Sequence, residues 1–173
     1  MGYTLPMNAT NTAKSVRADI WGSRGFPVDP AWIAHQMGLR VLDADLPDNV
    51  SGALLKRTGE DPVILLNRTD SRNRKRFSCA HELGHYASRV IDNRAGHYEY
   101  IDLRGVESGA GTYTDEIFAN QFAAELLMPE DDVRMLVRQG HSPLSIAQIF
   151  AVSDDAIRFR LNNLRTKHLF SRK

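Results

Sequence analysis

The chain has 173 residues, 42% hydrophobic and 25% charged, with a formal net charge of +1 and one cysteine. This size and composition suit a soluble domain with a self-supporting core, alone or with a small helical appendage. The near-balanced charge excludes binding to nucleic acid or membrane by bulk electrostatics. Cys79 alone permits neither an intrachain disulfide nor a cysteine-rich zinc site, so any metal must rely on histidine and carboxylate. The start of the chain lacks the pattern of a secretory signal and no stretch reads as membrane-spanning. The expected location is the cytoplasm, with no membrane partner.

Residues 1–13 read as a loose start. A short helical pattern covers Lys14 to Trp21 and is ended by Gly22 to Pro27. Asp29-Pro30 reads as an N-cap followed by proline at the first helical position, opening a helix that Gly38 stops. Three β-rich runs follow, at Leu39 to Leu42, Asn49 to Lys56 and Val63 to Leu66, with Gly52 marking a bulge or a close approach. They predict a small, mostly antiparallel sheet. Asp70 or Ser71 caps a long helix reaching about Val90. Residues 92–113 read as a loop. Thr114 opens a second long helix through Leu127, and Pro129, Ser142-Pro143 and Ser153 begin three shorter ones. The fold class is therefore α+β: a small sheet packed with helices, followed by a helical pair of helix-turn-helix type. The expected organisation is a core over 14–129, a C-terminal helical region over 130–165 packed on it, and flexible tails at 1–13 and 166–173.

The long helix carries His81-Glu82-Leu83-Gly84-His85. Histidines four residues apart share one helix face, so both imidazoles can bind one Zn2+. Glu82, about 100° further round the helix, is too far round for an easy ligand but can take a proton from an attacking water. Gly84 lets another element pack closely behind. A catalytic zinc needs a third protein ligand. The metzincin solution, a histidine six residues after the second, is excluded because Ile91 stands there. The downstream carboxylates are Glu99, Asp102, Glu107, Asp115, Glu116 and Glu125. The first three fall in the expected loop. Glu116 lies one turn before Asn120 on a helix kept thin by Ala119, Ala123 and Ala124. Glu116 is favoured over its neighbour Asp115 as third ligand, with Asn120 hydrogen-bonding a ligating histidine.

Phe77-Ser78-Cys79-Ala80-His81-Glu82-Leu83-Gly84-His85, together with the run from Glu116 to Pro129, resembles the ImmA/IrrE family of metallopeptidases. Arg74, Arg76 and Phe77 match the basic stretch and Arg-Phe pair ahead of its metal helix. Phe118 departs from the family pattern, where many members carry a second acidic residue. The resemblance covers about residues 14 to 165. It implies a zincin-like fold with one Zn2+ per chain on His81, His85 and Glu116, and Glu82 as general base. It also implies a protein partner: a helix-turn-helix repressor of the Xre type, cut to relieve repression of a mobile element, prophage or stress regulon.

The competing reading is a DNA-binding or repressor-binding regulator with a non-catalytic zinc site. Its basis is the C-terminal pair with Arg158, Arg160, Arg165 and Lys167. The favoured reading packs that pair on the core, burying Leu144, Ile146, Ala147, Phe150, Ile157 and Leu161. Arg72, Arg74, Lys75 and Arg76 read as a solvated face, and Cys79 as a small core residue. Tyr86, Tyr98, Tyr100, Tyr113 and His97 are open candidates for stabilising an oxyanion. A substrate strand is expected against Val63 to Leu66 or Val50 to Leu55. Oligomeric state is left open.

Overall fold

The computed structural model describes residues 8–57, 59–91, 98–103 and 113–170. Asn8 opens the first helix, α1 (Ala9–Val16), its Oδ1 accepting from the Thr10 N–H at 2.9 Å. A π-helical turn, Arg17–Trp21, follows. The loose start expected through Ala13 is thus corrected: residues from Ala9 are helical, and Ala9 and Ala13 are buried. Small residues at this spacing give α1 a flat face, which reads as a tail when only large apolar residues are counted. α2 (Pro30–Gln36) begins as expected, with Asp29 Oδ1 accepting from the N–H groups of Ala31 and Trp32.

Among the described residues four strands form one sheet: β1 (Arg40–Ala44), β2 (Val50–Lys56), β3 (Val63–Asn67) and β4 (Tyr98–Leu103), in the order β1-β3-β2-β4. β2 runs antiparallel to β3 and β4, while β1 and β3 are parallel. Two expectations are corrected here. Part of the expected loop at 92–113 is β4, which takes up the second hydrogen-bonding side of β2. The strands expected to receive a substrate, β2 and β3, are interior to the sheet. Among the described residues its edges are β1 and β4.

Asn67, fully buried at the end of β3, fixes the approach to β2. Its amide donates to the carbonyls of Val50 at 2.7 Å and Pro47 at 3.2 Å, and its Oδ1 accepts from the Thr69 N–H at 3.1 Å.

The Ser71 hydroxyl then accepts from the Arg74 N–H at 3.3 Å and α3 (Arg72–Ile91) begins. α3 packs on β2 and β3 and also on α4 (Tyr113–Leu127), which in turn carries α1. Every residue from Ser78 to His85 is buried. A helix segment covered on all sides is ordinarily apolar; this one carries two histidines and a glutamate.

α5 (Glu130–Arg138), α6 (Pro143–Phe150) and α7 (Asp154–Phe170) complete the chain. α7 extends to Phe170, so the backbone from 166 to 170 is helical where a flexible tail was expected. Ile146, Ala147, Phe150 and Ile157 are buried, but Leu144 is 58% exposed and leaves the expected core list. It sits in the first turn of α6, on the side away from the packed residues. Two guanidinium groups fasten this region to the core. Arg76 of α3 donates to the carbonyls of Val28 (2.7 Å), Ala151 (3.1 Å) and Phe150 (3.3 Å). Arg160 of α7 donates to the Met128 carbonyl and to Glu125, both members of that pair being buried. Arg76 therefore belongs to the tertiary structure and not to a solvated face, while Lys75 stays at the surface in an exposed pair with Asp43 at 2.9 Å.

Candidate metal centre

Gly84 sets the distance between α3 and α4. A Cβ added there would lie 3.2 Å from the Ala119 carbonyl, a tight contact, and 2.9 Å from the Ala119 Cα, closer than real Cβ atoms approach. The helices thus meet backbone to backbone. Glu116 and Asn120 flank Ala119 on α4 and are carried to the histidine face of α3.

The result is a tight polar cluster. The Nε2 atoms of His81 and His85 are 3.1 Å apart. The Glu116 carboxylate lies 3.3 Å from His81 Nε2 and 3.2 Å from His85 Nε2. The histidine side chains are 4% and 2% exposed and that of Glu116 is 20% exposed. These three residues can each offer one donor atom to a common ion. Four ligands at about 2.0–2.1 Å around a tetrahedral ion lie roughly 3.3–3.4 Å from one another, so the observed separations match three corners of such a shell. Two imidazoles and a carboxylate are also the donor chemistry that a catalytic zinc takes. The residues present fit the metal.

Protonation agrees with this use. Burial holds the His85 imidazole below its ordinary pKa, opposed by its bond to Glu116 and reinforced by the nearby His81. A neutral ring keeps a lone pair for an ion. His81 Nδ1 lies 3.1 Å from Asn120 Oδ1. With the proton on Nδ1 the ring donates to that amide, and Nε2 is left to face the cluster.

Glu82 is fully buried on the sheet side of α3. Its Oε1 would lie 3.4 Å from a Cβ added at Gly52 of β2, with Ser78 Cβ equally near that point. The register of β2 against β4 shifts between Val50 and Gly52, so both readings of Gly52, bulge and close approach, describe one feature. Gly52 had a visible signal, a glycine inside an apolar strand. The contribution of Ser78 to this wall had none.

A model of the IrrE N-terminal-like peptidase domain matches residues 34–162. The chain belongs to the ImmA/IrrE family of metallopeptidases. No curated protein matches it significantly.

Within this ImmA/IrrE chain the structure brings His81, His85, Glu116 and Asn120 together and places the next residue after His81, Glu82, buried on the sheet side of α3. Asp115, the rival carboxylate, is not among the three residues whose donor atoms converge, although its charge reaches His85. Phe118, where many members are acidic, is buried beside Phe122 with ring centroids 6.4 Å apart. Glu99 and Asp102 fall on β4 instead of a loop, and Glu107 and His97 lie outside the described residues. Among the tyrosines, Tyr86 is half-buried, with burial raising its phenol pKa, and Tyr113 is 73% exposed. The geometry singles out neither of these two, and the side chains of Tyr98 and Tyr100 lie outside the described residues. Cys79 is buried and burial pushes its thiol pKa up, which keeps it protonated and poor as a ligand. No helix among the described residues is long and apolar enough to cross a membrane.

Proposed function

We propose that the protein is a zinc-dependent endopeptidase of the cytoplasm that makes one specific cut in a helix-turn-helix repressor of the Xre type. The cut would relieve repression of a mobile element, prophage or stress regulon. The observation that carries this reading is the convergence of His81, His85 and Glu116 at tetrahedral spacing with Glu82 on the next helical position. Family membership supports peptidase chemistry, and the repressor follows from the resemblance of the two helix motifs.

His81, His85 and Glu116 would hold one Zn2+. When bound, the ion supplies Lewis acidity for the scissile carbonyl and for water at neutral pH. Asn120 holds His81 in the tautomer that presents Nε2. Glu82 accepts a proton from the attacking water on a carboxylate oxygen and returns it to the leaving amine. Gly52 and Ser78 wall that carboxylate in.

The test is co-expression with a helix-turn-helix repressor encoded beside this gene, followed by intact mass of the repressor and zinc content of the enzyme. Wild type should give one discrete cut. Glu82→Gln should keep its zinc and leave the repressor whole. Cutting by the Glu82→Gln protein would refute the mechanism.

A further inference from the structure

The face of α4 that orients His81 also borders a large groove. It encloses about 1270 Å3, more than the roughly 300–1,000 Å3 typical of small-molecule sites. Phe77, Ala124 and Phe159 contribute apolar surface to it above the buried Met128, and Asn73, Gln121 and Asn163 contribute neutral amides. Phe159, on α7, is 70% exposed. The two guanidinium groups of the lining turn back into the protein: Arg74 Nε donates to Ser51 Oγ at 2.9 Å, and Arg160 is bound to Glu125 and the Met128 carbonyl.

The groove adjoins the metal centre through two residues that touch His81, while His81, His85, Glu116 and Glu82 themselves do not line it. Asn120, which lies against His81, lines it, and so does Phe77, whose ring centroid is 6.4 Å from that of His81. The geometry points to the groove between α4 and α7 as the seat of the polypeptide substrate on one side of the bond to be cut. Its occupant is a segment with large apolar side chains packed against Phe159 and Phe77. Side-chain amides each carry donors and an acceptor, so they can satisfy both the N–H and the C=O of a bound main chain. Phosphate recognition would need cations facing the groove, and both arginines face inward. The inference rests on the peptidase reading and deepens it. It also gives the C-terminal helices a role in substrate binding, because α7 forms a wall of the groove and is held in place by the buried Arg160–Glu125 pair.

The test uses the full chain carrying Glu82→Gln, with Phe159 replaced by photoreactive p-benzoylphenylalanine. It is irradiated with the same helix-turn-helix repressor, and the crosslink is mapped by mass spectrometry. The expected crosslink falls in the repressor, close in sequence to the bond that wild type cuts. In the otherwise wild-type chain, Phe159→Arg should raise KM about tenfold with kcat and zinc content unchanged. Leu144→Arg, at an exposed position outside the groove, should change neither. Absence of a crosslink to the repressor overturns the inference, as does a crosslink confined to residues 1–7 of the chain itself or to a second copy. A repressor that is cut normally by Phe159→Arg overturns the groove and leaves the peptidase reading intact. A repressor that crosslinks at position 159 but is never cut supports the groove as a recognition surface and removes the peptidase reading instead.

Discussion

Helix α4 carries two inward carboxylates with opposite surroundings. Glu116, near its start, faces two imidazoles and keeps a side chain 20% exposed. Glu125, near its end, is 1% exposed and faces the guanidinium of Arg160. A buried carboxylate matched by a protein cation is already neutralised and serves to join two elements. One that shares a corner with two imidazoles can serve an ion. The same helix thus fastens the C-terminal region at one end and completes the metal centre at the other, and only the partner distinguishes the two roles.

The sharpest break in that comparison is in stability. Arg160→Met leaves Glu125 buried without its cation and should cost about 3–5 kcal/mol, read by chemical denaturation of the metal-free protein. The paired change Glu125→Leu with Arg160→Met should recover most of the loss, as buried pairs replaced by apolar groups commonly do. Glu116→Gln should do the reverse, leaving metal-free stability nearly unchanged while zinc is lost in a competition titration. A large loss of stability from Glu116→Gln would make the two carboxylates equivalent and break the account.

Gly84→Ala tests the spacing between the helices. The new methyl would meet the Ala119 backbone, and forcing α3 and α4 apart should cost about 1–3 kcal/mol and lower zinc affinity together. An unchanged zinc titration would show that the helix contact does not position the ligands.

These expectations also show what the sequence could and could not yield. The positions of His81, His85, Glu116 and Gly84 follow from helical periodicity, because one turn of helix determines which side chains share a face. Sheet order does not follow from local pattern. β4 was hidden because Glu99 and Asp102 interrupt its apolar residues, and the interior placement of β2 and β3 depends on that unseen partner. Arg76 and Arg160 look like surface cations in the sequence. Each is drawn inward by acceptors remote in the chain: the carbonyls of Val28, Phe150 and Ala151 for one, Glu125 and the Met128 carbonyl for the other.

Asn120→Ala should lower metal affinity or activity by about 10–100-fold, the usual cost of removing the partner of a ligating histidine, with folding little affected because Asn120 is exposed. Wild-type zinc affinity in that variant would remove Asn120 from the centre.

The smallest effect is in pH. Burial holds the folded-state pKa of His85 below its unfolded value of about 6.5, so the unfolded chain binds the proton more readily. The metal-free protein should therefore keep this contribution above about pH 6.5 and lose it as pH falls below that value. Denaturation of wild type and His85→Gln at neutral and mildly acidic pH should show the larger acid loss in wild type. Equal losses would mean that His85 does not titrate as its burial requires.

The most direct test of the metal centre is X-ray absorption at the zinc edge, on protein loaded with one equivalent of zinc. The structure predicts one tightly held ion with nitrogen and oxygen ligands at about 2.0–2.2 Å and outer scattering from two imidazole rings. A sulfur neighbour at about 2.3 Å, which only Cys79 or a methionine could supply, or zinc with no imidazole scattering, would contradict it.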